Sequence, residues 1–379
     1  MHVPVYVRGS VTAGCVRGAQ AQPFRVGGVG WGSVRAALVG YRGGVRIAIT
    51  GSLAHDNLLT FSGRFHDSFV AEQLDKVSLS FLADDLQVRR GGVGGNISFG
   101  MGVLGLEPYL VAAAGVDFDD YRAWLDRHGV NTLDRHGVNT KGVKVSTERH
   151  TARFTCTTDR DSAQIATFYP GAMSEAREIE LEPISQSVGG FDLVLIGPND
   201  PEAMVRHTDE CRSRGMKFAA DPSQQLAFME GEDIRRLIDG AEYLFTNEYE
   251  AHLTEQKTGW SSEEIAQRVT TRVITHGKDG VTISTKGSES ITVGVVPAEK
   301  VVDPTGVGDA FRAGFLAGLH WGLSHERCAQ TGAMLATHVV ETVGTQEYEH
   351  NLGNALERLR AAYGEEAANE IGAHLPTFA

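Results

Sequence analysis

Six short apolar runs, each closing on Gly, Asp or Asn, constrain this chain more than any other feature. They lie at 47–51, 110–115, 193–197, 218–221, 243–247 and 273–277. Continuous runs of this kind suit strands buried on both faces, as in a parallel sheet, and the segments between them are long enough for crossover helices. The expected fold is therefore α/β: a doubly wound, mostly parallel sheet flanked by helices, with ligands beyond the carboxyl ends of the strands. A chain of 379 residues, 41% hydrophobic and 22% charged, can build such a sheet with a substantial core.

Two stretches depart from this rhythm. Residues 77–81 through 86–88, and 150–158 followed by 164–169, alternate apolar and polar side chains in the manner of half-exposed strands. They predict a small separate sheet, from segments at about 55–90 and 143–170, within a single domain spanning 45–379.

The most pointed chemistry lies at Asp303-Pro304-Thr305-Gly306-Val307-Gly308-Asp309, followed at once by the helix-like run 310–319. Gly306 and Gly308 let successive N–H groups turn into one concavity, to which the helix adds its partially positive N-terminus. Such a cradle stabilises charge on a phosphoryl group. Asp309 is expected to stay ionised near neutral pH, because the dipole and free N–H groups favour its anion. It could then accept a proton from an attacking hydroxyl.

Charge and cysteine usage exclude several classes. The net charge is −13, while residues 1–44 carry five arginines and no acid, so the rest of the chain holds all of the negative excess. An acidic body argues against non-specific nucleic-acid binding. Residues 1–44 are rich in Gly, Val and Arg and lack any period of 2 or 3.6, so disorder is expected, in sequence that could precede the true start of the protein. A transit peptide is the sharper reading of the same composition, but serine is scarce there. Cys15, Cys156, Cys211 and Cys328 are scattered without C-x-x-C spacing, which suits reduced thiols in a cytoplasmic protein. No apolar stretch approaches the length of a membrane span. The octapeptide Leu125-Asp126-Arg127-His128-Gly129-Val130-Asn131-Thr132 recurs at 133–140; two copies make no solenoid, and a duplication in a surface loop is expected.

Further motifs join the cradle. Gly91-Gly92-Val93-Gly94-Gly95-Asn96 opens a helix, with Ser52 and Asp56 upstream; Asn247-Glu248-Tyr249-Glu250 closes a strand; Thr275-His276-Gly277-Lys278-Asp279-Gly280 closes another. Taken singly, the first is also a tight turn before a helix, and the second also a helix N-cap. Together, and in this order, they resemble the PfkB family of carbohydrate and nucleoside kinases, with its ribokinase-like fold. Pro304 stands where that family more often has threonine.

The resemblance implies that Asp309 is the base and that Gly306, Val307 and Gly308 form the anion hole. Ser52, Asp56, Gly92 and Asn96 would hold the hydroxyls of a ribose-like substrate. Asn247, Thr275, Gly277 and Gly280 would serve ATP, and Glu250 would order magnesium through water. The small sheet becomes a lid that excludes water, and family analogy adds pairing of two copies through it, as well as a potassium ion near Asp303 and Gly344-Thr345 in some relatives. At finer grain, residues 151–159, 172–177, 220–226 and 343–347 are similar to the actinobacterial adenosine kinases of this family. That likeness implies adenosine as acceptor, ATP as donor and AMP as product, within purine salvage. Phe154 and Phe168 would then sandwich the purine, and Gln224 or Gln225 would contact the base or its ribose. A sugar kinase of the same family, with ribose or fructose as acceptor, remains the alternative. A non-catalytic nucleoside sensor is a further one.

Overall fold

The computed structural model describes residues 45–67, 79–127 and 139–377. The arginine-rich segment 1–44 and most of the tandem octapeptides lie outside them. Among the described residues the strands are β1 (Ile47–Thr50), β2 (Ala54–Phe61), β3 (Asp85–Gly91), β4 (Tyr109–Ala114), β5 (Asn139–Val145), β6 (Ala152–Asp159), β7 (Gln164–Tyr169), β8 (Leu193–Ile196), β9 (Phe218–Ala220), β10 (Tyr243–Asn247), β11 (Thr271–Thr275), β12 (Val281–Thr285) and β13 (Ile291–Val293).

All six apolar runs become neighbouring or near-neighbouring strands of one sheet, ordered β13-β12-β11-β10-β9-β8-β1-β4-β5. Pairing is parallel from β5 to β11, and β12 and β13 close the far edge antiparallel. Strand residues alternate between two cores. Ile47 and Ile49 of β1, with Leu193 and Leu195 of β8, face one helical layer; Ala48, Val194 and Ile196 face the other. This double burial is why the runs are apolar at every position instead of alternating. The sheet starts in its middle: β4 lies on one side of β1 and β8 on the other, so the order reverses there and a crevice opens beyond the carboxyl ends.

The second sheet is ordered β3-β2-β6-β7. Its members include β6 and β7, where the alternating pattern places them, and β3, which begins at Asp85. The segment 79–84 forms no strand; Phe81 instead packs its ring 5.1 Å from Phe61 and 4.9 Å from Phe65. The inner strand is β2, which pairs with both β3 and β6. Its polar run His55-Asp56-Asn57 hides it from a search for alternation. No helix of the described residues is long and apolar enough to cross a membrane. Cys156, Cys211 and Cys328 are buried and free.

Candidate active site

Gly306 turns the chain into the Val307–His320 helix at φ +77°, a left-handed conformation that favours glycine. A Cβ there would also lie 2.6 Å from the Thr345 side chain. In the first turn Val307 N bonds back to Pro304 O at 3.4 Å, whereas the N–H groups of Gly308 and Asp309 have no intrahelical acceptor, and Gly308 is exposed. The turn before them is pinned by Asp303, whose carboxylate accepts from Thr305 N at 2.9 Å and from Gly344 N at 3.2 Å. Burial alone would raise the pKa of Asp303, but these hydrogen bonds and the nearby Arg89 hold it below the usual carboxylate range.

Asp309 differs from the sequence expectation. Desolvation pushes its pKa up to about 7, although a hydrogen bond from Asn96 and the charge of Arg312 both favour the carboxylate. Loss of water outweighs the helix dipole, whose effect is typically below 1 kcal/mol at exposed ends. The group is therefore divided between its acid and base forms near neutral pH.

Asn96 is also redirected. Its Nδ2 donates to Asp309 Oδ2 at 2.8 Å, while its Oδ1 accepts from Thr345 Oγ1 and Gln346 Nε2, both at 2.9 Å. A side chain expected to meet substrate hydroxyls thus spends three hydrogen bonds inside the protein. Gly92, at φ +87°, caps the Val93–Val103 helix, and a Cβ there would fall 2.6 Å from Ser52 O. Ser52 Oγ accepts from Val93 N at 3.1 Å and so steadies the same helix start.

Behind the cradle lies a buried ion pair. Arg312 grips Asp221 through Nε at 2.6 Å and Nη2 at 2.8 Å, and its Nη1 donates to Gly308 O at 3.2 Å. Asp221 follows β9 directly. Glu250 stands 3.9 Å from Arg312, so one guanidinium joins the cradle helix, a strand end and the Asn247–Glu250 turn. Sequence reasoning missed this pair, yet it left a signal: Arg312 stands between the apolar Phe311 and Ala313 of this helix, and a charge in that position requires a partner.

The Asn247–Glu250 turn is a capping box. Asn247 Oδ1 accepts from Glu250 N, and Glu250 Oε2 accepts from Asn247 N, each at 2.8 Å. The N-cap reading thus describes the local structure. Asn247 is also the register partner of Thr275, so the turn abuts the 275–280 loop. There Gly277 and Gly280 adopt φ +57° and +93°, and His276 ties the loop to the turn through Glu248 Oε1 at 2.8 Å. Neither His276 nor Glu248 was singled out from sequence. No cluster of three or more metal-binding side chains exists among the described residues. Glu250 Oε1 accepts only a 3.4 Å contact from Ser223 Oγ.

The small sheet contributes one row of side chains. Arg89, Asp56, Phe154 and Phe168 occupy one register position across β3, β2, β6 and β7, and so share a face. Arg89 reaches from this face to Val343 O at 2.9 Å, beside the loop that carries Thr345 and Gln346. Burial pushes the pKa of Asp56 up to about 6. Phe154 is half-buried and Phe168 is 51% exposed. Directly paired residues stand about 5 Å apart at Cβ, so Phe154 and Phe168 are side-by-side neighbours on this face. Gln224 is exposed, and Gln225 Nε2 donates to Asn199 O at 2.8 Å, which leaves neither assembled with this row.

A mostly parallel sheet flanked by helices, with a second small sheet beside it, is the ribokinase-like fold. Residues 64–351 match the pfkB family carbohydrate kinase model, and the chain belongs to that family. It is similar to the Burkholderia thailandensis nucleoside kinase, whose structures include complexes with inosine and with ADP-inosine; in the inosine complex the identity is 33% and the TM-score 0.72, covering 84% of this chain and 99% of that one. The nucleoside kinase of Methanocaldococcus jannaschii is 29% identical over 77% of this chain and 92% of its own. Adenosine kinase 1 of Arabidopsis thaliana is 32% identical over 41% of this chain and 49% of its own.

Proposed function

We propose that this protein is a nucleoside kinase that transfers the γ-phosphoryl group of ATP to the 5′-hydroxyl of adenosine, giving AMP and ADP. The observation that carries the reading is the meeting of two features: Asp309, with a pKa near 7 beside free helix N–H groups, and a lid row that pairs a carboxylate with two aromatic rings. Its relatives' nucleoside substrates support the acceptor class, and the partial likeness to adenosine kinase supports adenosine within it.

Asp309 takes the proton of the attacking hydroxyl, and the N–H groups of Gly306, Val307 and Gly308 hold the charge that develops on the transferring group. Asp56 accepts from the ribose hydroxyls, with Ser52, Gly92 and Asn96 shaping the floor beneath. The base lies on Phe154 and Phe168, with exposed Gln224 the glutamine free to meet it, since Gln225 Nε2 is bonded to Asn199 O. Asn247, Thr275, Gly277 and Gly280 border the ATP phosphates. Magnesium carried by the nucleotide would be held through water at Glu250 and would neutralise phosphate charge. A potassium ion would lie where Gly344 meets Asp303. Two copies would pair through the outer lid face, where Leu86 and Val88 are 56% and 58% exposed.

An ADP-release assay with magnesium-ATP, comparing adenosine, inosine, ribose and fructose, tests the reading. The highest kcat/KM is expected for adenosine. A preference for inosine would correct the base assignment alone, whereas a preference for a free sugar would overturn the nucleoside reading.

A further inference from the structure

We propose that Tyr121 and Gln346 are positioning residues for Asp309: they fix the Asn96 carboxamide so that its amino group, not its carbonyl, faces the Asp309 carboxyl group. The proposal deepens the reading of Asp309 as the base and rests on it for its catalytic meaning.

The sense of the network is set at its far end by a group that can only accept. Tyr121 Oη donates to the backbone carbonyl of Gly91 at 2.8 Å, so toward Gln346 the phenol oxygen must accept. Gln346 Nε2 lies 2.5 Å from it and supplies one hydrogen. Its second hydrogen goes to Asn96 Oδ1 at 2.9 Å, where Thr345 Oγ1 also stands at 2.9 Å with its single hydrogen shared between Asn96 Oδ1 and Arg90 O, the latter at 3.1 Å. With its oxygen so engaged, Asn96 has only its amino group to offer at 2.8 Å from Asp309 Oδ2. Tyr121, Gln346, Asn96 and Thr345 are 0%, 1%, 6% and 6% exposed, so water does not compete readily for these bonds. Gln346 Oε1 has no hydrogen-bond partner among the described residues, so its orientation is imposed from the amino end.

Several charged or titratable groups act on Asp309. Arg312 on its own helix favours the carboxylate, while Asp221 after β9 and Glu250 across the cradle oppose it. The hydroxyls of Tyr121 and Tyr348 complete the surroundings, and burial keeps both protonated. The Asn96 donor adds a directed neutral hydrogen bond to this balance. Gly91 is also the last residue of β3, so the network starts where the lid joins the body.

The test is a carboxyl-carbon NMR titration of Asp309 in the full chain, the signal assigned by its loss in Asp309→Asn. Parent, Tyr121→Phe and Gln346→Leu are compared, with circular dichroism confirming that each is folded. The expected result is a rise of about one pKa unit in either variant, a tenfold change in protonation equilibrium, with the acidic limb of kcat/KM moving alongside. An unchanged titration in the folded variants overturns the proposal. This readout does not depend on turnover, so it is judged separately from Asp309 as base, which the turnover of Asp309→Asn decides.

Discussion

As the proposed base, Asp309 must be ionised to accept a proton, yet its surroundings resist ionisation. With a pKa of about 7, kcat/KM should rise as pH increases through 7 and level off above it. The stability consequence has the opposite sense. Between the unfolded value of 3.8 and about 7 the native state binds the extra proton, so the stability linked to this group is full below 3.8 and is lost as pH rises through 7. Asp309→Asn should therefore stabilise the fold at pH 8 by about 1–3 kcal/mol, a gain that shrinks as pH falls toward 4; thermal unfolding at several pH values checks it. Asp56 behaves likewise about one unit lower: the KM for nucleoside should climb as pH drops below 6, and Asp56→Asn should remove that dependence at a cost of roughly ten- to a hundred-fold in kcat/KM, equivalent to about 1.5–3 kcal/mol. The identity of Asp309 was legible because its turn is contiguous in sequence. Its protonation was not, because that depends on Asn96, Asp221 and Glu250, which reach it only through the fold.

At the scale of elements, the cradle helix is held to the sheet by Arg312 and Asp221, 91 residues apart. Arg312→Met leaves the Asp221 charge buried and uncompensated and should cost about 3–5 kcal/mol in denaturant unfolding, whereas adding Asp221→Leu should recover much of it. The lid makes a separate prediction. Phe168→Ala should raise the KM for adenosine about tenfold, given about 1–3 kcal/mol for stacking on one ring, and leave the KM for ATP nearly unchanged. Strands β6 and β7 could be read because β-branched and aromatic residues alternate with polar ones along them. The inner strand β2 could not, because the three polar residues that open its active-site end erase the alternation. The Asn247–Glu250 element reads correctly as a helix cap, and the β10–β11 pairing sets Asn247 beside Thr275.

Across the whole molecule, the six apolar runs were enough to indicate a buried parallel sheet, because the apolar residues of its central strands divide between two cores, one on each face. The order of those strands was less accessible. It depends on β1 being central, with β4 and β8 on opposite sides, and on polar edge strands β5, β12 and β13 that carry little pattern. That order opens the crevice at the carboxyl ends, and the lid row of Arg89, Asp56, Phe154 and Phe168 is linked to the 343–346 loop through Arg89. One acid, Asp309, carries the chemistry proposed for this junction. Turnover of Asp309→Asn, with saturating magnesium-ATP and adenosine at pH 8, tests it most directly: a loss of roughly 10²–10⁴ with the fold intact is predicted, and a near-parental rate would contradict the account.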